Sequence, residues 1–183
     1  MAMQSRMLAL GTAAPSFRLE DTATHKTVAL QDFASSPALL VGFICNHCPY
    51  VKHILNGFAD FAREYGPRGL AVVAISSNDI TTHPADSPDE MAKLAREKKF
   101  SFPYLYDESQ AVARAYDAAC TPDFFLFDAD RRLVYRGQFD GSRPGGPQPV
   151  TGADLRTAAD AVLAGKPVPQ RQIPSIGCGI KWK

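Results

Sequence analysis

The segment that most constrains this chain is Ala38–Ile44 (ALLVGFI). This nearly unbroken apolar run leads straight into Cys45-Asn46-His47-Cys48-Pro49 and then into a helical repeat. Such a run reads as a strand covered on both faces. From Cys48 onward, Val51, Ile54, Leu55, Phe58, Phe61, Ala62 and Tyr65 recur at spacings of three and four until Gly66-Pro67, which predicts an amphipathic helix. The two thiols therefore sit where a central strand hands over to a long helix, at the carboxyl end of the strand, a favoured place for chemistry in α/β folds.

The rest of the chain alternates in the same way. Phe17–Leu19 and Lys26–Leu30 read as a short hairpin, and Leu70–Ser76 as a second apolar strand. Ser87-Pro88-Asp89-Glu90 supplies a cap, a first-turn proline and a capping-box acid for a helix to about Lys99. Pro103–Tyr106 reads as a strand, and Asp107 with Gln110 as the cap of a short helix to about Tyr116. Phe124–Phe127 and Leu133–Arg136 form a hairpin around Asp128-Ala129-Asp130-Arg131. Thr151 with Asp154 opens a last helix that Gly165 and Pro167 close. This order predicts an α/β domain over residues 1–165, with a central mixed sheet flanked by helices and an N-terminal β-hairpin, followed by an extended tail, 166–183, packed on the domain.

Composition narrows the function classes. Lys plus Arg number 20 and Asp plus Glu 19, a net charge of +1 with no basic block, so the chain has little with which to bind nucleic acid. The longest apolar stretch ends at Cys45, far short of the ~20 residues of a membrane span, so no membrane is expected as partner. The start, MAMQSRMLALGTAAP, has only a four-residue apolar patch, too short for a signal peptide, which places the expected compartment in the cytoplasm. There, a pair spaced as Cys45-Asn46-His47-Cys48 is expected to be catalytic or metal-binding rather than a structural staple.

Two thiols three residues apart at a helix N-terminus can close a small disulfide, and the positive helix end favours a thiolate, lowering its pKa from ~8.5 toward roughly 3.5–7.5. On this reading Cys45, just before the helix and the more exposed, is the attacking thiolate, and Cys48, inside the first turn, is the resolving thiol. His47 is expected to hold positive charge or donate to the thiolate, favouring the reduced form and raising the potential of the couple. A zinc site would need four ligands, and neither Cys120 nor Cys178 has a neighbouring ligand. Thr121-Pro122 stands at a strand entrance, where a proline must open the strand, sit in a bulge or be cis; beside the thiols, a cis bond with Thr121 presenting its backbone to a bound peptide is favoured.

These residues resemble the thioredoxin-like redoxins, including the alkyl hydroperoxide reductase/thiol-specific antioxidant family. Three stretches carry the resemblance: Ala14-Pro15-Ser16-Phe17-Arg18-Leu19, Phe43-Ile44-Cys45-Asn46-His47-Cys48-Pro49-Tyr50, and Thr121-Pro122-Asp123-Phe124-Phe125-Leu126-Phe127-Asp128. It implies a thioredoxin-like fold, with the strand and helix between Phe102 and Tyr116 as an insertion relative to a minimal thioredoxin. The activity it implies is that of a thiol-disulfide oxidoreductase or a thiol peroxidase with antioxidant activity. Two departures favour the first. With Cys48 at the peroxidatic position, the usual Thr or Ser is Cys45, and Pro122 falls about where the peroxide-polarising arginine would be; Arg143, in a loop, is the candidate substitute. Ile44 also replaces the thioredoxin tryptophan, so no conventional thioredoxin partner is implied.

The expected enzyme is thus a thiol-disulfide oxidoreductase with Cys45 as nucleophile, Cys48 as resolver, His47 tuning the couple and Thr121-Pro122 shaping a docking groove. The alternatives are a peroxiredoxin-like thiol peroxidase with a sulfenate on Cys45 or Cys48, and a module binding zinc or copper through the CxxC. Cys120 and Cys178 are candidate additional redox thiols, each also readable as simple packing. His25, His53 and His83 read as isolated loop or surface residues, and Ser76–Ser87 as a polar rim near the site. No dissociable cofactor is needed. Protein or small-molecule disulfides, or peroxides, are the expected substrates, and an electron-donating thiol system the expected partner; the pattern leaves the oligomeric state open.

Overall fold

The apolar run at Ala38 forms a strand buried along its whole length, Ala38–Phe43, because its neighbours on both sides and both of its faces are apolar. The computed structural model describes residues 2–183. Its strands are β1 (Ala2–Gln4), β2 (Arg18–Asp21), β3 (Thr27–Ala29), β4 (Ala38–Phe43), β5 (Leu70–Ser76), β6 (Tyr104–Tyr106), β7 (Cys120–Thr121), β8 (Asp123–Phe127), β9 (Leu133–Gly137) and β10 (Ile176–Gly179). Its α-helices are α1 (Pro49–Tyr65), α2 (Pro88–Glu97), α3 (Ala111–Ala115) and α4 (Ala153–Leu163).

Seven strands make the main sheet in the order β3-β2-β6-β5-β4-β8-β9. The β4, β5 and β6 pairings are parallel, and the flanking pairs are antiparallel, so the sheet is mixed. Strand alternation divides the core. Phe124 and Leu126 of β8 pack with Phe58 and Phe61 of α1, while Phe125 and Phe127 face the opposite layer with Phe43 and Tyr116. Phe58 touches the rings of Phe61, Phe102, Phe124 and Phe139, with centroids 5.1–6.5 Å away, and this cluster fixes α1 against the sheet. Gly42 leaves room for it, since a Cβ there would stand 3.2 Å from the Phe124 ring.

Three local readings need correction. The short helix α3 is capped by Asp107, whose carboxylate accepts from the amides of Val112 and Ala113, and by Ser109, whose Oγ accepts from the Ala111 amide. Gln110 is the N-cap residue but has left-handed φ of 64°, and its side-chain amide donates instead to the carbonyls of Ser77 and Lys181. Helix α4 starts from Gly152, also left-handed, because Phe139 leaves no space for a side chain there. Thr151 does serve the helix start, its Oγ accepting from the Ala153 amide at 3.3 Å, while the Asp140 carboxylate accepts from the amides of Thr151 and Gly152 and Asp154 accepts from Gln138.

The tail holds a strand that periodicity does not show. β10 lies between β1 and β7 in a separate three-stranded antiparallel sheet, with Cys178 opposite both Ala2 and Thr121. Ile180 is buried beyond it, and Trp182 lies over the Arg114 guanidinium, 4.4 Å from ring centroid to Cζ. This small sheet sets the chain's last strand beside the CxxC.

Candidate redox site at the β4–α1 junction

Cys45 follows β4 by two residues and Cys48 is the N-cap of α1, with Pro49 as its first helical residue. Proline suits that position because its missing amide hydrogen would have no intrahelical partner. Both cysteines are wholly buried, so the expected greater exposure of Cys45 is not what the fold produces. The reason is tertiary: the Thr121-Pro122 turn covers the pair, β10 lies alongside that turn, and the loop around Asp86 closes over Asn46 and His47.

Thr121 serves both sulfurs. Its hydroxyl lies 3.3 Å from Cys45 Sγ, and its carbonyl oxygen 3.3 Å from Cys48 Sγ. The Thr121–Pro122 peptide is cis. The carbonyl holds Cys48 when it carries a proton. The ionised form is held differently: the Cys45 thiol donates to Cys48 and pulls its pKa well below the ordinary value, with further help from the Cys178 thiol and the Val51 and Cys178 amides, against the opposing effect of burial. Val51 is in the first turn of α1, so this amide is part of the helix N-terminal field. The hydrogen bond to Cys48 pushes the Cys45 thiol up strongly, and burial and the Asp86 carboxylate push it the same way. These influences favour the thiolate on Cys48, at the helix N-terminus.

His47 does not reach either sulfur with a hydrogen bond among the described residues. Its Nδ1 is 2.5 Å from Asp86 Oδ2, and its ring stacks on His83 with centroids 4.8 Å apart. Asp86 is the residue that sequence reasoning missed. It is fully buried, and its carboxylate accepts from the Asn46 amide at 2.7 Å, the His47 amide at 3.1 Å and the Asn78 side-chain amide at 2.8 Å, besides pairing with His47. Asn46 is held from its other end by the Tyr104 hydroxyl, at 3.1 Å. The polar segment Ser76–Ser87 read as a rim therefore supplies the anchor of the CNHC loop. His83, read as isolated, belongs to it, and His53 pairs with Ser142 Oγ at 3.0 Å.

Donor atoms of Cys45, His47 and Asp86 lie within 4.8 Å of one another, the one such cluster among the described residues. Four hydrogen-bonding partners already occupy the Asp86 carboxylate, and one of them is the His47 nitrogen itself, so the cluster is satisfied internally. Its donor set fits a loop anchor better than a cation.

The remaining candidates fall on either side of the site. Cys120 is buried and its pKa is raised chiefly by that burial; its sulfur faces the carbonyls of Pro122 and Ser175 rather than the pair. Cys178 is half-buried and packs against the cluster that holds Cys45 and Cys48; its thiol is pushed up to about 11, chiefly by burial and then by the neighbouring Cys48. Arg143 donates to the carbonyls of Asp140 and Ser142 and to Gln138 Oε1, so it braces its own loop. Asp123, just after the cis bond, is fully buried; burial raises its pKa well above the carboxylate range, and it stays neutral.

The sheet order, the long helix after β4 and the paired thiols at that junction define a thioredoxin-like redoxin. The AhpC/TSA family model matches residues 10–136, and the chain belongs to that family. A crystal structure of a conserved protein from Geobacillus kaustophilus is 53% identical, with a TM-score of 0.98 over 100% of this chain and 97% of that one. One from Sinorhizobium meliloti is also 53% identical, with a TM-score of 0.97 over 98% of each chain. The peroxidoxin BcpB of Mycobacterium tuberculosis shares the fold at 21% identity, with a TM-score of 0.62 over 85% of this chain and 96% of that one. No curated protein matches the chain in sequence. No helix is long and apolar enough to cross a membrane.

Proposed function

We propose that this redoxin is a thiol-disulfide oxidoreductase of a reducing, cytoplasmic compartment, whose two-electron couple is the Cys45–Cys48 dithiol and disulfide. The observation that carries this reading is the placement of two free thiols at the β4–α1 junction, Cys48 as the N-cap of α1, with the Thr121 hydroxyl 3.3 Å from Cys45 Sγ and its carbonyl oxygen 3.3 Å from Cys48 Sγ. One sulfur is ready to attack and the next is placed to resolve. This reverses the roles expected from sequence, because that expectation rested on an exposure which Cys45 does not have. Thr121 positions both sulfurs, and Asp86 with His47 fixes the loop between them.

Thiol peroxidase activity is the second reading, and the family membership favours it. Against it, no guanidinium bonds to either sulfur among the described residues, and Arg143 is committed to its loop. A site that holds a peroxide needs donors for its oxygens. Neither reading requires a bound cofactor; an electron-donating thiol system would return the disulfide to the dithiol.

Equilibration in glutathione buffers of graded ratio, acid quenching and mass mapping test the couple. The expected result is one two-electron transition ending in a Cys45–Cys48 bond. Persistence of both free thiols in the most oxidising buffer would refute it.

A further inference from the structure

Cys45 and Cys48 are wholly buried, yet a disulfide exchanger must pass electrons to molecules in solution. Of the four cysteines only Cys178 is partly exposed, and it packs against the buried cluster that holds Cys45 and Cys48. The strand that carries it is built for close approach. Its register puts Cys178 opposite Thr121, the residue that holds both sulfurs. A Cβ at Gly177 would stand 1.9 Å from the Thr121 carbonyl oxygen, and one at Gly179 would stand 2.6 Å from Met3 Sδ. Gly177 therefore admits only glycine, since the atom in the way is backbone, and the single side chain that residues 177–179 present is the half-buried thiol of Cys178.

We propose that Cys178 is a relay thiol, through which the buried Cys45–Cys48 couple exchanges with disulfides in solution. This rests on the dithiol reading above and specifies how that site is reached. Cys178 Sγ attacks one sulfur of an external disulfide as its proton passes to the neighbouring Cys48 thiolate. The external S–S bond breaks, and the departing thiolate takes the proton now on Cys48. Cys48 thiolate then attacks Cys178 Sγ, releases the second external thiolate and forms Cys48–Cys178. Cys45 attacks Cys48 Sγ, gives up its proton to that second thiolate, and regenerates Cys178 as a thiolate, which recovers a proton from solvent as the overall exchange releases two external thiols. Two electrons leave the Cys45–Cys48 pair, one proton comes from the Cys45 thiol and one from solvent by way of Cys178, and one external disulfide becomes two thiols.

The test uses the full reduced chain with glutathione disulfide, quenched in acid at intervals and mapped by mass spectrometry. In wild type the first glutathione adduct is expected on Cys178, followed by the Cys45–Cys48 bond. Cys178→Ser and Cys178→Ala should form that same bond about ten-fold more slowly or worse. Cys45→Ser should halt with Cys48 joined to Cys178, a product that a merely structural Cys178 would not give. A first wild-type adduct on Cys45 or Cys48, an unchanged rate in both Cys178 variants, or no Cys48–Cys178 bond in Cys45→Ser would each overturn the relay while leaving the couple standing. Failure of wild type to form Cys45–Cys48 at all would overturn the dithiol reading and the relay with it.

Discussion

Replacing Cys48 by serine is expected to slow disulfide reduction by at least about 10³-fold, because a serine hydroxyl is not ionised at neutral pH and cannot exchange with sulfur. The effect should be chemical rather than structural. Serine is nearly isosteric, suits an N-cap and can still donate to the Thr121 carbonyl as the Cys48 thiol does. Thermal unfolding should therefore stay close to wild type while turnover disappears. The pH dependence follows from the same geometry. Cys48 is held below its ordinary pKa by the Cys45 and Cys178 thiols and the Val51 amide, so its thiolate is lost only as pH falls through the lowered value. Alkylation of Cys48 in the Cys178→Ser chain, slow in absolute rate because the sulfur is buried, should accordingly have its pH midpoint below that of a free cysteine, whose pKa is about 8.5. A profile centred at or above the free value, or a Cys48→Ser protein that still turns over, would contradict this account.

Asp86→Ala is expected to have the largest effect on stability, about 3–5 kcal/mol, the scale of breaking a buried charged pair. The substitution leaves the amides of Asn46 and His47, the Asn78 side chain and the His47 ring without their acceptor in a buried setting. In a chain of this size the loss corresponds to a drop in melting temperature on the order of 10 °C. Chemistry should change too. The Asp86 carboxylate is one of the influences that push the Cys45 pKa up, so its removal should move Cys45 ionisation downward and narrow the separation between the two sulfurs. Asp86→Asn keeps one acceptor oxygen for the Asn46 and His47 amides and should recover part of the stability. Wild-type melting of the alanine variant would show that the loop is anchored elsewhere.

Much of the fold was legible because the signals are local. The apolar run of β4, the 3.6-residue period of α1 and the cap at Ser87 each fall inside one window of sequence, and the strand-to-helix handover placed the CxxC correctly on the fold. What escaped is what depends on distant segments. β10 is four residues with two glycines, and it becomes a strand only because β1 and β7 supply its partners from sequence positions far away. The burial of Cys45 follows from the Thr121-Pro122 turn and the Asp86 loop, neither of which is near it in sequence. Asp86 left one usable trace, an acid inside a polar loop directly ahead of a Ser-Pro helix start, but its burial cannot be read from composition. His47 lay in the right motif, and its partner turned out to be a carboxylate rather than a thiolate.

The central claim is that this AhpC/TSA-family site exchanges disulfides rather than reducing peroxides. The most direct measurement compares second-order rate constants of the fully reduced protein toward hydrogen peroxide and toward a protein disulfide, with Cys45→Ser and Cys48→Ser as controls. The expected result is a peroxide rate no faster than that of a free small-molecule thiol, together with disulfide reduction that is lost in Cys48→Ser and that no longer ends in a Cys45–Cys48 bond in Cys45→Ser. A peroxide rate far above the free thiol, abolished by Cys48→Ser and retained in Cys45→Ser, would contradict it and identify a peroxidase.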